Sequence, residues 1–162
     1  MDNIKSQKQK NPKKPVVLII DDDKWFSRVL SKTISSWGFN ILNAYDGVDG
    51  LVMAIEKRPD IIFVDILMPD INGDIILSIL KKLFATSQIP VIVMSGNLSR
   101  EIIGGAYKSG ADGFIAKPFS LKVLYDKMEM CLSPTVFCEI TSTKEEISNN
   151  VIGTKPFYHV SL

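Results

Sequence analysis

Five short apolar runs, evenly spaced and each followed by a stretch of helical periodicity, restrict the fold more than anything else in the sequence. The runs are Val16–Ile20 (VVLII), residues 39–44 (FNILNA), Ile61–Asp65 (IIFVD), residues 90–95 (PVIVMS) and residues 113–117 (GFIAK). Four are continuously apolar rather than alternating. That is the mark of strands buried on both faces, and hence of a parallel sheet covered by helices on either side. Between them, apolar residues recur at helical spacing. Phe26, Val29, Leu30, Thr33, Ile34 and Trp37 mark a first helix, with Gly38 placed as its C-terminal glycine. Val48, Leu51, Val52 and Ile55 mark a second, stopped by Pro59. Ile75, Ile76, Ile79, Leu80 and Leu83 mark a third. Ser99 caps a fourth carrying Ile102, Ile103, Ala106 and Tyr107. Ser120 caps a fifth carrying Leu121, Leu124, Tyr125 and Met128.

Five βα units with right-handed crossovers predict an α/β fold. It is a flavodoxin-like doubly wound five-stranded parallel sheet of order 2-1-3-4-5, with helices on both faces. The domain is expected over residues 16–133. Residues 1–15 read as a basic, disordered tail: the first fourteen carry five lysines and one acid, Asp2. Residues 134–162 read as a C-terminal tail with one strand-like piece at 136–140, too short to be an output domain. His159 lies there and is read as a surface residue.

Composition excludes several classes. With 46% hydrophobic and 23% charged residues the chain is not globally disordered. A net charge of +1 gives no overall pull toward nucleic acid or membrane. No apolar run approaches the roughly 18 residues of a membrane span. Two cysteines, Cys131 and Cys138, form neither a disulfide framework nor a metal motif, so a cytoplasmic setting is expected.

The first strand runs straight into Asp21, Asp22 and Asp23. Adjacent carboxylates repel, and each resists ionising beside the others. A helix N-terminus offsets part of that cost, and a bound cation offsets more. In a doubly wound sheet the carboxyl ends of the strands share one rim, where ligands bind. That rim collects Asp21, Asp22 and Asp23 from strand 1, Asp65 from strand 3, Ser95 from strand 4 and Lys117 from strand 5. Three carboxylates from strands 1 and 3 suit Mg²⁺. One carboxylate can act as a nucleophile toward a phosphoryl group, with Lys117 and Ser95 contacting its oxygens.

Through "LIIDDD", "FVDILMPDINGD" (63–74), "VIVMSG" (91–96) and "ADGFIAKPF" (111–119) the chain resembles the receiver domain of two-component response regulators, of the stand-alone, chemotaxis-regulator-like kind. The intervals agree too: Ser95 follows Asp65 by 30 residues and Lys117 follows it by 52. The resemblance implies Asp65 as phosphoacceptor, with Lys117 and Ser95 assisting. It implies Mg²⁺ held by Asp21, Asp22, Asp65 and the backbone carbonyl of Leu67. It implies Ser95 and Phe114 as switch residues, Phe114 turning inward from an exposed position. Pro69 and Gly73 shape the loop after the acceptor, and the Lys117–Pro118 bond is expected cis. Asp23 is left to stabilise the first helical turn.

The implied partners are a sensor histidine kinase or a histidine phosphotransfer protein. A protein target is expected on the helix 4–strand 5–helix 5 face, where Tyr107 and Ala111 lie. No nucleic-acid-binding motif is evident, and no membrane partner is expected. The chain is not expected to be an enzyme beyond assisting its own phosphorylation and dephosphorylation. Other readings are a phosphorelay intermediate or phosphate sink, an inactive receiver used for binding, and an N-terminal fragment of a multidomain regulator. A haloacid-dehalogenase-type phosphatase would use Asp21 as nucleophile and Asp23 as its acid. Against it, Trp25 stands where that family has Thr or Val, no acidic pair ends a later strand, and no cap domain fits.

Overall fold

The computed structural model describes residues 13–97, 99–134 and 136. The elements alternate strictly: β1 (Val16–Ile20), α1 (Lys24–Ser36), β2 (Asn40–Ala44), α2 (Gly47–Lys57), β3 (Ile61–Asp65), α3 (Gly73–Lys82), β4 (Val91–Ser95), α4 (Arg100–Lys108), β5 (Gly113–Ala116) and α5 (Leu121–Cys131). All strand pairs are parallel, in the order β2-β1-β3-β4-β5, as the sequence pattern requires.

Alternation along each strand divides the core in two. Val17 and Ile19 of β1, Phe63 of β3 and Met94 of β4 point to one face, covered by Phe26, Leu30 and Ile34 of α1 and Leu124 and Met128 of α5. Leu18 and Ile20, Ile62 and Val64, and Val93 point to the other. Ala54 of α2, Ile76, Leu77 and Leu80 of α3 and Ala106 of α4 cover it. Every residue of β3 and β4 is buried, because both strands have neighbours on each side and helices on each face.

Local chemistry fixes the helix ends. Asp23 caps α1, its Oδ1 accepting from the backbone N–H groups of Trp25 (3.0 Å) and Phe26 (2.9 Å). Asp46, Ser99 and Ser120 do the same for α2, α4 and α5. Each such cap contributes about 1 kcal/mol. Beyond α1, Gly38 takes a φ of 97°, the left-handed conformation that glycine adopts without steric cost. Arg58 caps α2 at a φ of 46°, and Pro59 follows it.

Two helices leave part of their apolar periodicity in solvent. In α2 the sheet-facing residues are Gly47, Gly50 and Ala54, while Val48, Val52 and Ile55 are exposed. In α3 the buried residues are Gly73, Ile76, Leu77 and Leu80, while Ile75, Ile79 and Leu83 are exposed. The reason for α2 is steric. A Cβ at position 50 would lie 2.7–2.9 Å from the Ile20 side chain, and one at position 47 would lie 2.7 Å from Ile76 Cδ1. The helix sits so close that only glycine and alanine fit directly beneath it, while Leu51 and Met53 pack against the core from its flanks and Val48, Val52 and Ile55 stay exposed.

At the C-terminal end, Val136 is helical and packs against the α1–α5 side of the core, not as the start of a strand. The rest of the 136–140 reading, His159, Cys138 and most of both tails lie outside the described residues. Among the described residues, no helix is long and apolar enough to cross a membrane.

Candidate acidic site at the carboxyl ends of the strands

The strand order places the ends of β1, β3, β4 and β5 along one rim, and the chemistry-bearing residues meet there. Asp21, just after β1, is wholly buried. Its Oδ1 accepts from the Asp23 N–H (2.9 Å), and its Oδ2 accepts from Lys117 Nζ (2.6 Å). Asp65, the last residue of β3, is buried as well. Its Oδ1 accepts from the Leu67 N–H (3.2 Å), and its Oδ2 accepts from Lys117 Nζ (2.9 Å). Lys117 therefore bridges two carboxylates from residues far apart in sequence. Asp22 stays exposed, yet one carboxylate oxygen from each of Asp21, Asp22 and Asp65 falls within 4.8 Å of the others.

Burial dominates the electrostatics. Loss of hydration raises the Asp21 pKa, with the nearby Asp65 adding to the rise, and the attraction of Lys117 offsets only part of it. Burial also works to lower the Lys117 pKa, but Asp21 and Asp65 together outweigh it and hold the ammonium above its ordinary value. The three groups thus form one coupled charge system with a surplus of carboxylate. That surplus, made of hard oxygens from three side chains, fits a small divalent cation better than it fits a single ammonium.

An aromatic pair that sequence reasoning missed holds Lys117 in place. The Nζ lies 4.3 Å from the centre of the Phe26 ring, a cation–π contact. Phe26 meets Phe119 edge to face, with ring centroids 5.8 Å apart. Nothing in the sequence links position 26 to position 117. The juxtaposition follows only from strand order, which brings the start of α1 beside the loop after β5. The Lys117–Pro118 peptide in that loop is cis, as the resemblance implied.

Ser95 ends β4, fully buried, and its Oγ accepts from the Asn97 N–H (3.0 Å). Its carbonyl accepts from the Lys117 N–H (2.8 Å), so the hydroxyl-bearing and ammonium-bearing residues are tied through the backbone. Leu67 is exposed beside the Asp65 carboxylate. Gly73 closes the loop that follows Asp65. Its N–H donates to the Ile66 carbonyl (3.0 Å), and any Cβ there would strike the Asp65 carbonyl oxygen and come 2.8 Å from Ile66 Cα.

Phe114 is not exposed. It is half-buried on β5 and already packs against the α2–α3–α4 side of the core, because its register with Val93 turns it toward that cluster. Ala111, expected on the helix 4–strand 5–helix 5 surface, is buried in the same cluster, whereas Tyr107 is exposed. Between α3 and α4, next to Leu67, lies a cleft of about 310 Å³ lined by Ile66, Leu67, Asn72, Asp74, Glu101 and Gly105.

The phosphatase arrangement does not fit this geometry. Asp23, which would have to serve as its general acid, spends its side chain capping α1. Asp21, which would be the nucleophile, is enclosed beneath Lys117.

The family model for the response regulator receiver domain matches residues 17–129. Among curated proteins, the chain is 30% identical over 137 residues to the DNA-binding dual master transcriptional regulator RpaA of Synechocystis, covering 83% of this chain and 56% of that protein. It is 31% identical over 122 residues to the response regulator MprA of Mycobacterium avium, covering 74% of this chain and 51% of that protein. The chain thus spans about half the length of these relatives. Among solved structures, the chemotaxis response regulator CheY4 of Vibrio cholerae superposes with a TM-score of 0.70 at 25% identity, over 74% of this chain and all of that one. The receiver domain of the Francisella response regulator 1452 gives 0.64 at 30% identity, over 80% and 98%.

Proposed function

The chain belongs to the response regulator receiver domain family, and from that premise we propose that Asp65 accepts a phosphoryl group from a phosphohistidine donor. The observation that carries this reading is the Lys117 ammonium bridging Asp65 and Asp21, with Asp22 within 4.8 Å. A carboxylate oxygen of Asp65 attacks phosphorus, the N–P bond of the donor breaks, and the imidazole leaves with its electron pair. The product is an acyl phosphate on Asp65.

This chain's residues supply positioning and charge, which is most of what phosphoryl transfer asks of a protein. Lys117, seated on Phe26, follows the charge from the carboxylate to the new phosphoryl oxygens. Ser95 has its Oγ on β4 next to Asp65 in the sheet and gives a hydroxyl to one of those oxygens. Asp21, Asp22 and Asp65, with the Leu67 carbonyl, are the residues that would hold Mg²⁺. When bound, the cation supplies neutralisation of charge on the transferring oxygens. The donor is a sensor histidine kinase or a histidine phosphotransfer protein. The chain performs no reaction on a separate substrate.

Output follows from the added charge. A phosphoryl group brings three acceptor oxygens to the rim. Ser95 leaves Asn97 for the new oxygen, and the β4–α4 loop adjusts. Phe114 starts half-buried, so its response is a short repacking against α4 rather than a swing from solvent. The surface altered is that of α4, β5 and α5, around Tyr107.

The test is mass spectrometry after incubation with a small phosphodonor and Mg²⁺. One phosphate should be added, on Asp65, acid-stable and base-labile. Asp65→Asn should remove the labelling completely and leave the fold intact. Wild-type labelling of that variant, or labelling on Asp21, would reject the assignment.

A further inference from the structure

Apolar residues that mark the helical periodicity of α2 and α3, and that the structure leaves in water, lie on both sides of one seam. On α2 these are Val48 (57% exposed), Val52 and Ile55. On α3 they are Ile75 (50% exposed), Ile79 and Leu83. Phe84, 99% exposed, extends the α3 stripe past the end of the helix.

Both stripes border the same seam. Gly47 of α2 lies against Ile76 and Ile71, which fixes the edge of α2 that faces α3. On α3, Lys81 reaches the Ile89 carbonyl (2.8 Å) and Asp112 (2.6 Å), which fixes the edge that faces β4 and β5. At 100° per residue, Ile75, Ile79 and Leu83 stand on the edge away from Lys81, toward α2. Taking side-chain areas of roughly 150–200 Å², the patch exposes about 600 Å². That is at the upper limit of what monomers carry, and it approaches the roughly 800 Å² per partner of a stable interface.

The charges around the patch say what covers it. Both helices connect parallel strands, so they run parallel to each other. Their N-terminal ends carry Asp46, Asp49 and Asp74, and their C-terminal ends carry Lys57, Arg58 and Lys82. Two acids stand at the basic end: Glu56, 3.9 Å from Lys57, and Asp60, whose Oδ2 accepts from the Val16 N–H. A face acidic at one end and basic at the other is complementary to itself when turned through a two-fold axis.

We propose that the α2–α3 face is a self-association surface. A second copy docks antiparallel across the seam, giving a four-helix contact with an apolar centre and the acidic end of each copy against the basic end of the other. This interface lies apart from the α4–β5–α5 output face and leaves the acidic rim open.

Sedimentation velocity on the full chain, from about 1 to about 200 μM, tests it. A reversible dimer is expected. The double variant Val52→Lys/Ile79→Lys changes only exposed positions. It should weaken the dimer at least about tenfold while leaving the circular dichroism spectrum and melting curve unchanged. Lys82→Glu should weaken it about threefold, and adding Asp49→Lys should restore it. A chain monomeric throughout overturns the proposal. So does a dimer indifferent to the double variant, or a charge pair that shows no restoration. A monomer in which hydrogen exchange shows residues 48–55 and 75–84 protected overturns it in favour of the chain's own residues 137–162 as the cover.

Discussion

The two faces of the sheet are held by different means. On the α1–α5 face, large side chains interlock: Phe26, Leu30, Ile34 and Trp37 from one helix, Leu124 and Met128 from the other, with Trp37 edge to face against Tyr125 at 5.6 Å. On the opposite face, α3 packs large side chains (Ile76, Leu77 and Leu80), but α2 lies over the sheet through glycines and an alanine with Leu51 and Met53 at its flanks, and α4 buries fully only Ala106. The first arrangement gives stiffness, because close-packed large groups resist displacement. It is also the face that grips Lys117, through Phe26 and Phe119. The second places its mobile potential at α4, whose central Gly104 and Gly105 have no neighbouring atom within 4 Å of where a Cβ would stand. On the proposed function, the Lys117 site is therefore seated on the firm side, and α4, proposed to respond, belongs to the more loosely held side.

The largest effect that would break this comparison is at Phe26. Phe26→Ala should cost about 3–5 kcal/mol in denaturant unfolding, from lost burial and the cavity left behind. It should also slow labelling of Asp65, because the ammonium loses its aromatic seat. A loss below about 1 kcal/mol would mean that the α1–α5 face is not the stiff one.

Gly73 comes next. Its missing Cβ makes room for backbone, not for a flexible side chain, so the structure cannot yield cheaply. Gly73→Ala should cost about 1–3 kcal/mol and should lower Asp65 labelling, because the displaced atoms include the carbonyl of Asp65 itself. Gly50→Ala tests the same idea with a softer obstacle, the Ile20 side chain. Overpacking there opposes the gain in helix propensity, leaving a net loss of about 0–2 kcal/mol without effect on labelling. If Gly50→Ala proves the more damaging of the two, backbone contact at Gly73 is not what shapes the acceptor loop.

How much of this was legible in the sequence depends on what each signal measures. Strand order and the rim were legible because continuous apolar runs and strict alternation leave few topologies. Asp21, Asp22, Asp65, Ser95 and Lys117 were legible because each ends a strand or follows one within two residues, so the topology alone gathers them. Which side of α2 and α3 meets the sheet was not legible because periodicity identifies an apolar stripe without saying what it faces. In α2 the glycines that approach the sheet carry no hydrophobic signal at all. Phe26 read as ordinary core, and its place under Lys117 depends on a pairing across 91 positions that no local pattern encodes. Phe114 was expected in solvent because the resemblance implies a switch aromatic that starts outside, whereas its register with Val93 turns it toward the α2–α3–α4 side.

The smallest effect sharpens the comparison from the loose side. Gly105 lies in α4 and lines the cleft beside Leu67. Its position would admit a methyl group without contact, so Gly105→Ala costs nothing in packing. The substitution restricts the unfolded chain and favours the helix, which should stabilise the protein by about 0.5–1 kcal/mol. For a domain of this size that corresponds to a rise of about 2–4 °C in Tm. The gain should be local as well as global: amide exchange should slow across residues 100–108 and stay unchanged in α1. If α4 is held lightly so that it can respond to a phosphoryl group, stiffening it should also shrink the chemical-shift changes around Tyr107 on adding a beryllofluoride mimic. A variant with an unchanged melting point, or with uniform slowing of exchange in both helices, would show that α4 is no looser than α1. The division of labour between the two faces would then fall.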